Sequence, residues 1–196
     1  DADALAAVIG RCGSDLPALR GVIHAAMVLD DVVLANANSA QWHRGLAPKM
    51  LGAWNLHRLT RAAELDFFVL YSSFAAVVGN PGQANYVAAN LFMEALAHLR
   101  RRCNLPALAV GWGAIDDVGY LARKEDLKET LEKRTGLRPI ASREALAVLE
   151  EMISADATQV GAAEVDWAGA LRFLPSGGRP KFTALRGQGG EAGATL

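Results

Sequence analysis

Residues 66–90 read "DFFVLYSSFAAVVGNPGQANYVAAN" and combine a strand, a turn and the start of a helix. The first part, 66–73, is aromatic, β-branched and almost entirely apolar, which is typical of a strand covered on both faces. The "GNPG" at 79–82 predicts a turn. A helix is predicted over 86–101, ending in arginines that suit its negative end. A pair of serines therefore ends the strand, and a tyrosine opens the next helix.

Two other apolar runs of strand length lie on either side of this segment. One falls within 19–29, "LRGVIHAAMVL", and the other is "PALAVGWG" at 106–113. A long helical pattern at 39–63 joins the first run to the strand at 66–73, and Pro48 is expected to bend or restart this helix. Because each step from strand to strand carries a helix, the order predicts an α/β fold, a doubly wound parallel sheet with helices on both faces.

The last part of the chain has a different composition. Residues 114–136 are rich in charge, and 142–155 form an amphipathic helix that we expect Ser142 to cap. A last short strand is predicted at 158–167. The tail at 187–196 is rich in Gly and Ala, and we interpret it as a flexible linker to a following domain.

The composition excludes several classes of function. The 196 residues carry 20 basic and 21 acidic side chains, which leaves no basic excess for binding nucleic acid or an anionic membrane. The two cysteines, Cys12 and Cys103, lie outside any CxxC or Cys/His spacing, so neither a disulfide framework nor a metal site is predicted. No run of about 20 apolar residues occurs, and we expect a cytoplasmic protein.

Polar residues at the predicted carboxyl edge of the sheet indicate one site. Ligands bind beyond the carboxyl ends of parallel strands, where Ser72 and Ser73 end a strand and Tyr86 opens the next helix. Asn90 follows Tyr86 by one helical turn, and Lys49 lies in the preceding helix. Serine can hold a carbonyl oxygen, tyrosine can protonate it and lysine can stabilise the phenolate, which suits carbonyl reduction with hydride from a cofactor. Taken singly, each of these residue types more often has a packing, capping or solvated role.

Six blocks of sequence resemble the ketoreductase domain of type I polyketide synthases, a branch of the short-chain dehydrogenase/reductase family. The blocks are "GVIHAA", "LDD", "LAPKMLGAWNLH", "FFVLYSS", "GNPGQANYVAANLFMEALA" and "PALAVGWG", and they follow the family's order. The resemblance covers about residues 1–186 and implies a Rossmann-like fold.

By this resemblance, four residues form the catalytic group. Tyr86 is implied to be the proton donor, and Asn90 to continue the proton relay. Ser73 rather than Ser72 is implied to orient the substrate carbonyl. Lys49 is implied to contact the nicotinamide ribose and to tune the tyrosine. Tyr86 is followed four residues later by Asn90 instead of a lysine, which is the arrangement typical of the polyketide branch.

The resemblance also implies NADPH as cofactor and a substrate carried as a phosphopantetheine thioester. The residues implied to contact the cofactor are His24, Ala25, Ala26, Lys49, Tyr86, Trp112 and Gly113. The residues implied to control substrate orientation are Leu29, Asp30, Asp31, Val78 and Gln83. The "LDD" at 29–31 resembles the marker of B-type ketoreductases, which form the D-configured hydroxyl, and Val78 stands where A-type domains carry a tryptophan.

One motif of that family is missing from the sequence. The family's glycine-rich turn, GxGxxG, receives the cofactor pyrophosphate upstream of these blocks, and no such motif occurs here. The chain also begins without Met, in a helical pattern. We therefore expect a sheet truncated at its N-terminus, with the catalytic part of the domain at 1–186. Within it, 114–140 is expected to be either a mobile lid or an ordinary solvated segment.

Three functions are compatible with these observations. The first is reduction of a β-ketoacyl chain on an acyl carrier protein, beside neighbouring synthase domains. The second is a non-catalytic, structural ketoreductase-like segment, which the missing nucleotide motif favours. The third is a free-standing dehydrogenase, which the Tyr-x-x-x-Asn pattern and the linker-like tail disfavour. The sequence leaves open whether this chain is active alone.

Overall fold

The computed structural model describes residues 1–119, 122, 136–173, 180 and 182 of the 196-residue chain. The predicted linker at 187–196 lies outside the described residues, and so does most of the segment 114–140 that we expected to be a lid. The described residues form an α/β fold built around a parallel sheet.

Helices and strands alternate in the first part of the chain. The helices are α1 (Ala2–Ile9), α2 (Ser39–Leu59), α3 (Ala75–Val78), α4 (Ala84–Arg102), α5 (Ser142–Ser154) and α6 (Trp167–Phe173). The strands are β1 (Gly21–His24), β2 (Phe67–Ser73), β3 (Leu108–Trp112), β4 (Leu137–Arg138), β5 (Gln159–Ala162) and β6 (Glu164–Val165). A short 3-10 helix covers Leu34–Asn36.

Four strands form one parallel sheet in the order β1-β2-β3-β5. Leu70 of β2 pairs with His24 of β1 on one side and with Ala109 of β3 on the other. The strands β4 and β6 form a separate antiparallel pair. The parallel sheet predicted from the alternation of strands and helices is confirmed, and its strands end at one common edge.

The two faces of β2 are covered by different helices. Phe68 and Leu70 pack in one buried cluster with side chains of α2 and α4, among them Ala53 and Met93. Val69, on the opposite face, belongs to a second cluster formed with α5. Burial on both faces explains why this strand is apolar without alternation.

Arg100, near the end of α4, is fully buried at 0% exposure. Its guanidinium lies 3.7 Å from the centroid of the Phe68 ring, and its Nε donates to the carbonyl of Pro106 at 3.0 Å. Burial lowers the pKa of Arg100 to about 10. Besides suiting the negative helix end, Arg100 therefore links α4 to the segment that enters β3.

Two local predictions differ from the structure, and a third is decided in part. Of the bend or restart expected at Pro48, the restart is excluded, because α2 continues through this residue. Ser142 is the first residue of α5 and Ala141 is its N-cap, because the amide and hydroxyl of Ser142 both donate to the Asp117 carboxylate at 2.7 Å. The strand predicted at 158–167 is divided, because β6 pairs with β4 instead of extending β5, and Trp167 begins α6.

Candidate active site

Tyr86 and Ser73 meet at the carboxyl edge of the sheet. Ser73 ends β2, and its Oγ accepts a hydrogen bond from the backbone amide of Ala75 at 3.2 Å. The chain then passes through α3 and the 79–82 turn, and α4 begins with Tyr86 in its first turn. The Ser73 side chain lies near enough to Tyr86 to lower the pKa of its phenol by hydrogen bonding. The structure thus places together the serine and tyrosine that the sequence analysis singled out.

Lys49 is the buried cation of this site. It is only 3% exposed, and its Nζ donates to the carbonyl of Tyr71 at 2.7 Å. The same Nζ lies 5.5 Å from the centroid of the Tyr86 ring. Burial lowers the pKa of Lys49 to about 8, so the amine is still mostly protonated at neutral pH but loses its proton far more readily than an exposed lysine does. An amine with a lowered pKa therefore lies beside the Tyr86 phenol.

Two opposing influences act on Tyr86. Burial raises the pKa of its phenol above the usual value, while the hydrogen bonds with Ser73 and Asn90 lower it and the nearby charge of Asp31 raises it. Because the net direction is upward, Tyr86 carries its proton at neutral pH. A protonated phenol at this position is able to donate that proton to a bound oxygen.

Asn90 lies one turn after Tyr86 and is completely buried. Its Nδ2 donates to the backbone carbonyl of Tyr86 at 2.8 Å. Its Oδ1 has no hydrogen-bond partner in the part of the chain that the structure describes. Buried amide oxygens are rarely left unpaired in proteins, so this atom marks a position where a further polar group belongs.

The residues predicted to contact a cofactor line the ends of β1 and β3. His24 ends β1, is buried, and donates from Nε2 to the Lys49 carbonyl at 3.2 Å. Burial lowers the pKa of His24. Ala25 and Ala26 follow in an exposed segment, whereas Trp112 ends β3 and is buried. Gly113 follows Trp112 and is half-buried.

The residues predicted to orient substrate belong to two loops that contact each other. Gln83 donates from Nε2 to the Asp31 carboxylate at 2.9 Å and accepts from Asn80 at 2.7 Å. Val32 donates its amide to the Gly82 carbonyl at 2.8 Å. Gly79 and Gly82 have φ values of 79° and 82°, a conformation that favours glycine and lets the turn reach this loop. Of the remaining predicted residues, Val78 is buried and Leu29 is half-buried.

Sequence reasoning missed two residues that bind Asp30, in the loop that follows β1. Arg44 of α2 forms an ion pair with Asp30 at 2.7 Å, and Asn85 donates from Nδ2 to the Asp30 backbone carbonyl at 3.0 Å. Both contacts join residues far apart in the sequence. The only available signal was that Asn85 directly precedes Tyr86 in a block already assigned to the site.

The described ranges offer neither a metal-binding cluster nor a membrane-spanning helix. Those ranges contain no group of three or more His, Cys, Asp or Glu side chains arranged to hold a metal ion. They also contain no helix with the length and apolar composition needed to cross a bilayer.

Comparison with known proteins identifies the family of this chain. A family model described as "KR domain" matches residues 1–117. The chain belongs to the KR domain family. This family comprises the ketoreductase domains of polyketide synthases, which are oxidoreductases of the short-chain dehydrogenase/reductase type, and the recognition made from the sequence blocks is confirmed.

Relatives of the KR chain are known in sequence and in structure. It is 41% identical to the lovastatin diketide synthase of Aspergillus terreus over 155 aligned residues. These residues make up 79% of the chain. A solved structure described as an A-type ketoreductase from a modular polyketide synthase matches 94% of the chain at 36% identity, with a TM-score of 0.81. The ketoreductase from the first module of phoslactomycin biosynthesis in Streptomyces sp. HK803 matches 99% of it at 34% identity, with a TM-score of 0.80.

The KR chain is much shorter than these relatives. It spans 6% of the length of the lovastatin diketide synthase. It also spans 37% of the A-type ketoreductase chain and 44% of the phoslactomycin one. The Rossmann-like fold therefore agrees with solved ketoreductases over nearly all of this chain, and the relatives themselves belong to multidomain synthases.

The KR family implies a nicotinamide cofactor, NAD(P)H, and the described side chains fit one end of it. An ammonium has three N–H donors, and the described residues supply one close acceptor to Lys49, the Tyr71 carbonyl. The buried Nε1 of Trp112, like Asn90 Oδ1, has no partner in that part of the chain. Such groups suit a nicotinamide ribose and its amide. For the pyrophosphate end, the sequence offers no GxGxxG turn.

The buried ammonium of Lys49 makes stability depend on pH. Between about pH 8 and the unperturbed value of 10.5, Lys49 is neutral when folded and charged when unfolded. The unfolded state then binds more protons, so stability rises with pH across this window. We expect wild type to gain stability relative to Lys49→Met between about pH 7.5 and pH 10.

Urea unfolding of both proteins at several pH values measures this difference. Comparing the two proteins cancels the titration of all other groups. A stability difference that stays constant across the window would contradict the burial of a free amine at this position.

Proposed function

We propose that this KR chain contributes the catalytic residues for NADPH-dependent reduction of a β-ketoacyl thioester, carried on an acyl carrier protein, to the β-hydroxyacyl thioester in polyketide biosynthesis. The observation that carries this proposal is that the buried Lys49 amine lies 5.5 Å from the centroid of the Tyr86 ring, at the sheet edge where β2 ends in Ser73, whose side chain influences the pKa of the Tyr86 phenol. These three groups are what proton transfer to a ketone oxygen requires.

Each residue has a defined part in the reaction. The Ser73 hydroxyl donates a hydrogen bond to the ketone oxygen and holds it beside Tyr86. Reduced nicotinamide, when bound, supplies the hydride to the carbonyl carbon. As the oxygen gains negative charge, Tyr86 gives it the phenolic proton, so the product is an alcohol and Tyr86 becomes a phenolate. The Lys49 ammonium stabilises that phenolate.

Tyr86 must recover a proton before the next turnover. Lys49 lies beside the Tyr86 ring, and Asn90 lies one helical turn away, with an Oδ1 that has no hydrogen-bond partner among the described residues. We propose that Asn90 continues the relay by which the proton returns.

We propose that the cofactor is contacted by seven residues, which are His24, Ala25, Ala26, Lys49, Tyr86, Trp112 and Gly113.

The partners follow from the substrate. A thioester carried on phosphopantetheine requires an acyl carrier protein, and delivery of the chain requires neighbouring synthase domains. Relatives named as a lovastatin diketide synthase and as a type I polyketide synthase for phenolphthiocerol synthesis support this assignment. We propose NADPH over NADH, and a cytoplasmic location, as parts of the same hypothesis.

We further propose that the product is the D-configured, B-type alcohol. Support comes from the "LDD" at 29–31, whose Asp31 is held by Gln83 against the turn before Tyr86. Position 78, at the other end of that turn, is a buried valine and not a tryptophan. A substrate would then enter along the loop that contains Asp31.

Replacing Tyr86 by Phe in the natural full-length protein removes the proton donor without changing the ring. We expect reduction of a β-ketoacyl thioester to fall by about 10²- to 10⁴-fold, with cofactor binding retained. The measurement is NADPH consumption at 340 nm. Tyr71→Phe is the matched control, because Tyr71 contributes its backbone carbonyl to Lys49 and its ring to Trp112, and both remain. Near-normal turnover by Tyr86→Phe would sink the assignment.

The stereochemical proposal has its own test. The same reaction, run with a 3-ketoacyl thioester and analysed by chiral chromatography, is expected to give the D-hydroxy product in large excess. An excess of the L-hydroxy product would refute the B-type assignment while leaving the assignment of Tyr86 intact.

A structural, non-catalytic segment is the second candidate function. The two candidates differ in one measurement. Turnover that depends on Tyr86 requires an active site, whereas a structural segment gives the same background rate for wild type and Tyr86→Phe. A free-standing dehydrogenase is disfavoured because Asn90 replaces the lysine that follows tyrosine in such enzymes.

A further inference from the structure

Beneath the catalytic residues lies a buried carboxylate that the mechanism does not use. Glu94 of α4 is 6% exposed, and its Oε1 accepts from the hydroxyl of Ser72 at 2.6 Å. Its other oxygen, Oε2, accepts from Gln159 of β5 at 2.9 Å. Gln159 in turn pairs through its Oε1 with His98 at 2.8 Å. One side chain thus links α4, β2 and β5.

Burying this carboxylate costs free energy, and the sequence nevertheless places it there. Burial raises the pKa of Glu94, while the Ser72 hydrogen bond and the charge of His98 lower it. An apolar residue at this buried position would avoid that cost, since Glu94 is only 6% exposed. The hydrogen bonds of Glu94 therefore call for an explanation beyond stability.

The position of Ser72 supplies that explanation. Its neighbour on one side is Tyr71, whose carbonyl accepts the hydrogen bond of Lys49, and its neighbour on the other side is Ser73. Fixing the Ser72 side chain therefore fixes the backbone segment that presents both the lysine acceptor and the catalytic serine. Ser72 itself is 4% exposed, and its hydroxyl is bonded to Glu94, so it is turned away from substrate.

Glu94 also lies on the face of α4 that carries the other catalytic groups. Tyr86, Asn90 and Glu94 are spaced by four residues and occupy successive turns of one helix face. Because α4 is a regular helix, the hydrogen bond that Glu94 accepts from Ser72 of β2 limits movement of Tyr86 relative to Ser73. The remaining residues of α4 in this region contact β2 through apolar packing, which is less directional than a short hydrogen bond.

We propose that Glu94 is a positioning residue for the reduction: acting through Ser72, it sets the end of β2 against α4 so that Ser73 and Tyr86 meet one ketone oxygen. The inference rests on the proposed function. A displacement of about 1 Å in such an arrangement can lower the rate by about 100-fold, so a residue that never touches substrate can have a large effect on kcat.

Four variants of the natural full-length protein test this proposal. Glu94→Ala and Ser72→Ala each remove one end of the hydrogen bond, and the double variant removes both. Glu94→Gln keeps an oxygen that accepts from Ser72. Glu150→Gln on α5, where the glutamate is exposed, is the control for loss of a charge. The readouts are kcat and KM for a β-ketoacyl thioester with NADPH, and backbone hydrogen exchange over the segment 71–75.

We expect Glu94→Ala and Ser72→Ala each to lower kcat by about 10- to 100-fold, with KM for NADPH changed by less than about 3-fold. The double variant should be no slower than the slower single variant, because both changes break the same contact. Glu94→Gln should recover most of the lost rate, and Glu150→Gln should match wild type. Hydrogen exchange over 71–75 should increase in Glu94→Ala and stay near wild type in Glu94→Gln.

Several results would overturn the inference. Wild-type kcat in folded Glu94→Ala or Ser72→Ala would do so, and so would losses that multiply in the double variant, because Glu94 would then act without Ser72. If Glu94→Ala does not fold, Ser72→Ala decides the matter, since it removes only one buried oxygen. Failure of the proposed function is seen separately, as wild-type turnover that does not depend on Tyr86.

Discussion

The arrangement of this site depends on the burial of the Lys49 ammonium. Its backbone carbonyl accepts from His24 at the end of β1, and its Nζ donates to Tyr71 near the end of β2. The Tyr86 ring lies beside the same nitrogen. One residue of α2 therefore connects two strands of the sheet with the helix that carries the phenol. Burying a charge has a cost in free energy, which is why the pKa of Lys49 is lowered, and the site gains a cation whose field water does not screen.

A second constraint comes from α4. Its first turn presents Tyr86 to the end of β2, the next turn carries Asn90, and the turn after that bonds Ser72 through Glu94. Toward its end the helix is held by Arg100 against Phe68 and the entrance to β3. α4 is thus fixed along its length by polar contacts set in an apolar core. A helix anchored in this way keeps the phenol in register with the strand, which proton transfer over hydrogen-bond distances requires.

Sequence patterns were sufficient for the parallel sheet, since long apolar runs and helical periods are local signals. They also singled out Ser73, Tyr86, Lys49 and Asn90, because the resemblance rested on residue types at fixed spacings. They were insufficient where a contact joins distant segments. Asp117 takes the donors of Ser142, so the predicted cap was wrong, and β4 takes β6 as its partner, so the predicted last strand was divided. The bond between Ser72 and Glu94 also had no local signal, since a glutamate on a helix is usually solvated.

The central claim is that Tyr86 and Ser73 act on one ketone oxygen. A crystal structure of the natural protein with oxidised cofactor and an unreduced β-ketoacyl thioester tests it directly. The account predicts a ketone oxygen within about 2.6–3.2 Å of both the Tyr86 Oη and the Ser73 Oγ, with Ser72 still bonded to Glu94. A ketone bound away from Tyr86, or held by Ser72 in place of Ser73, would contradict it.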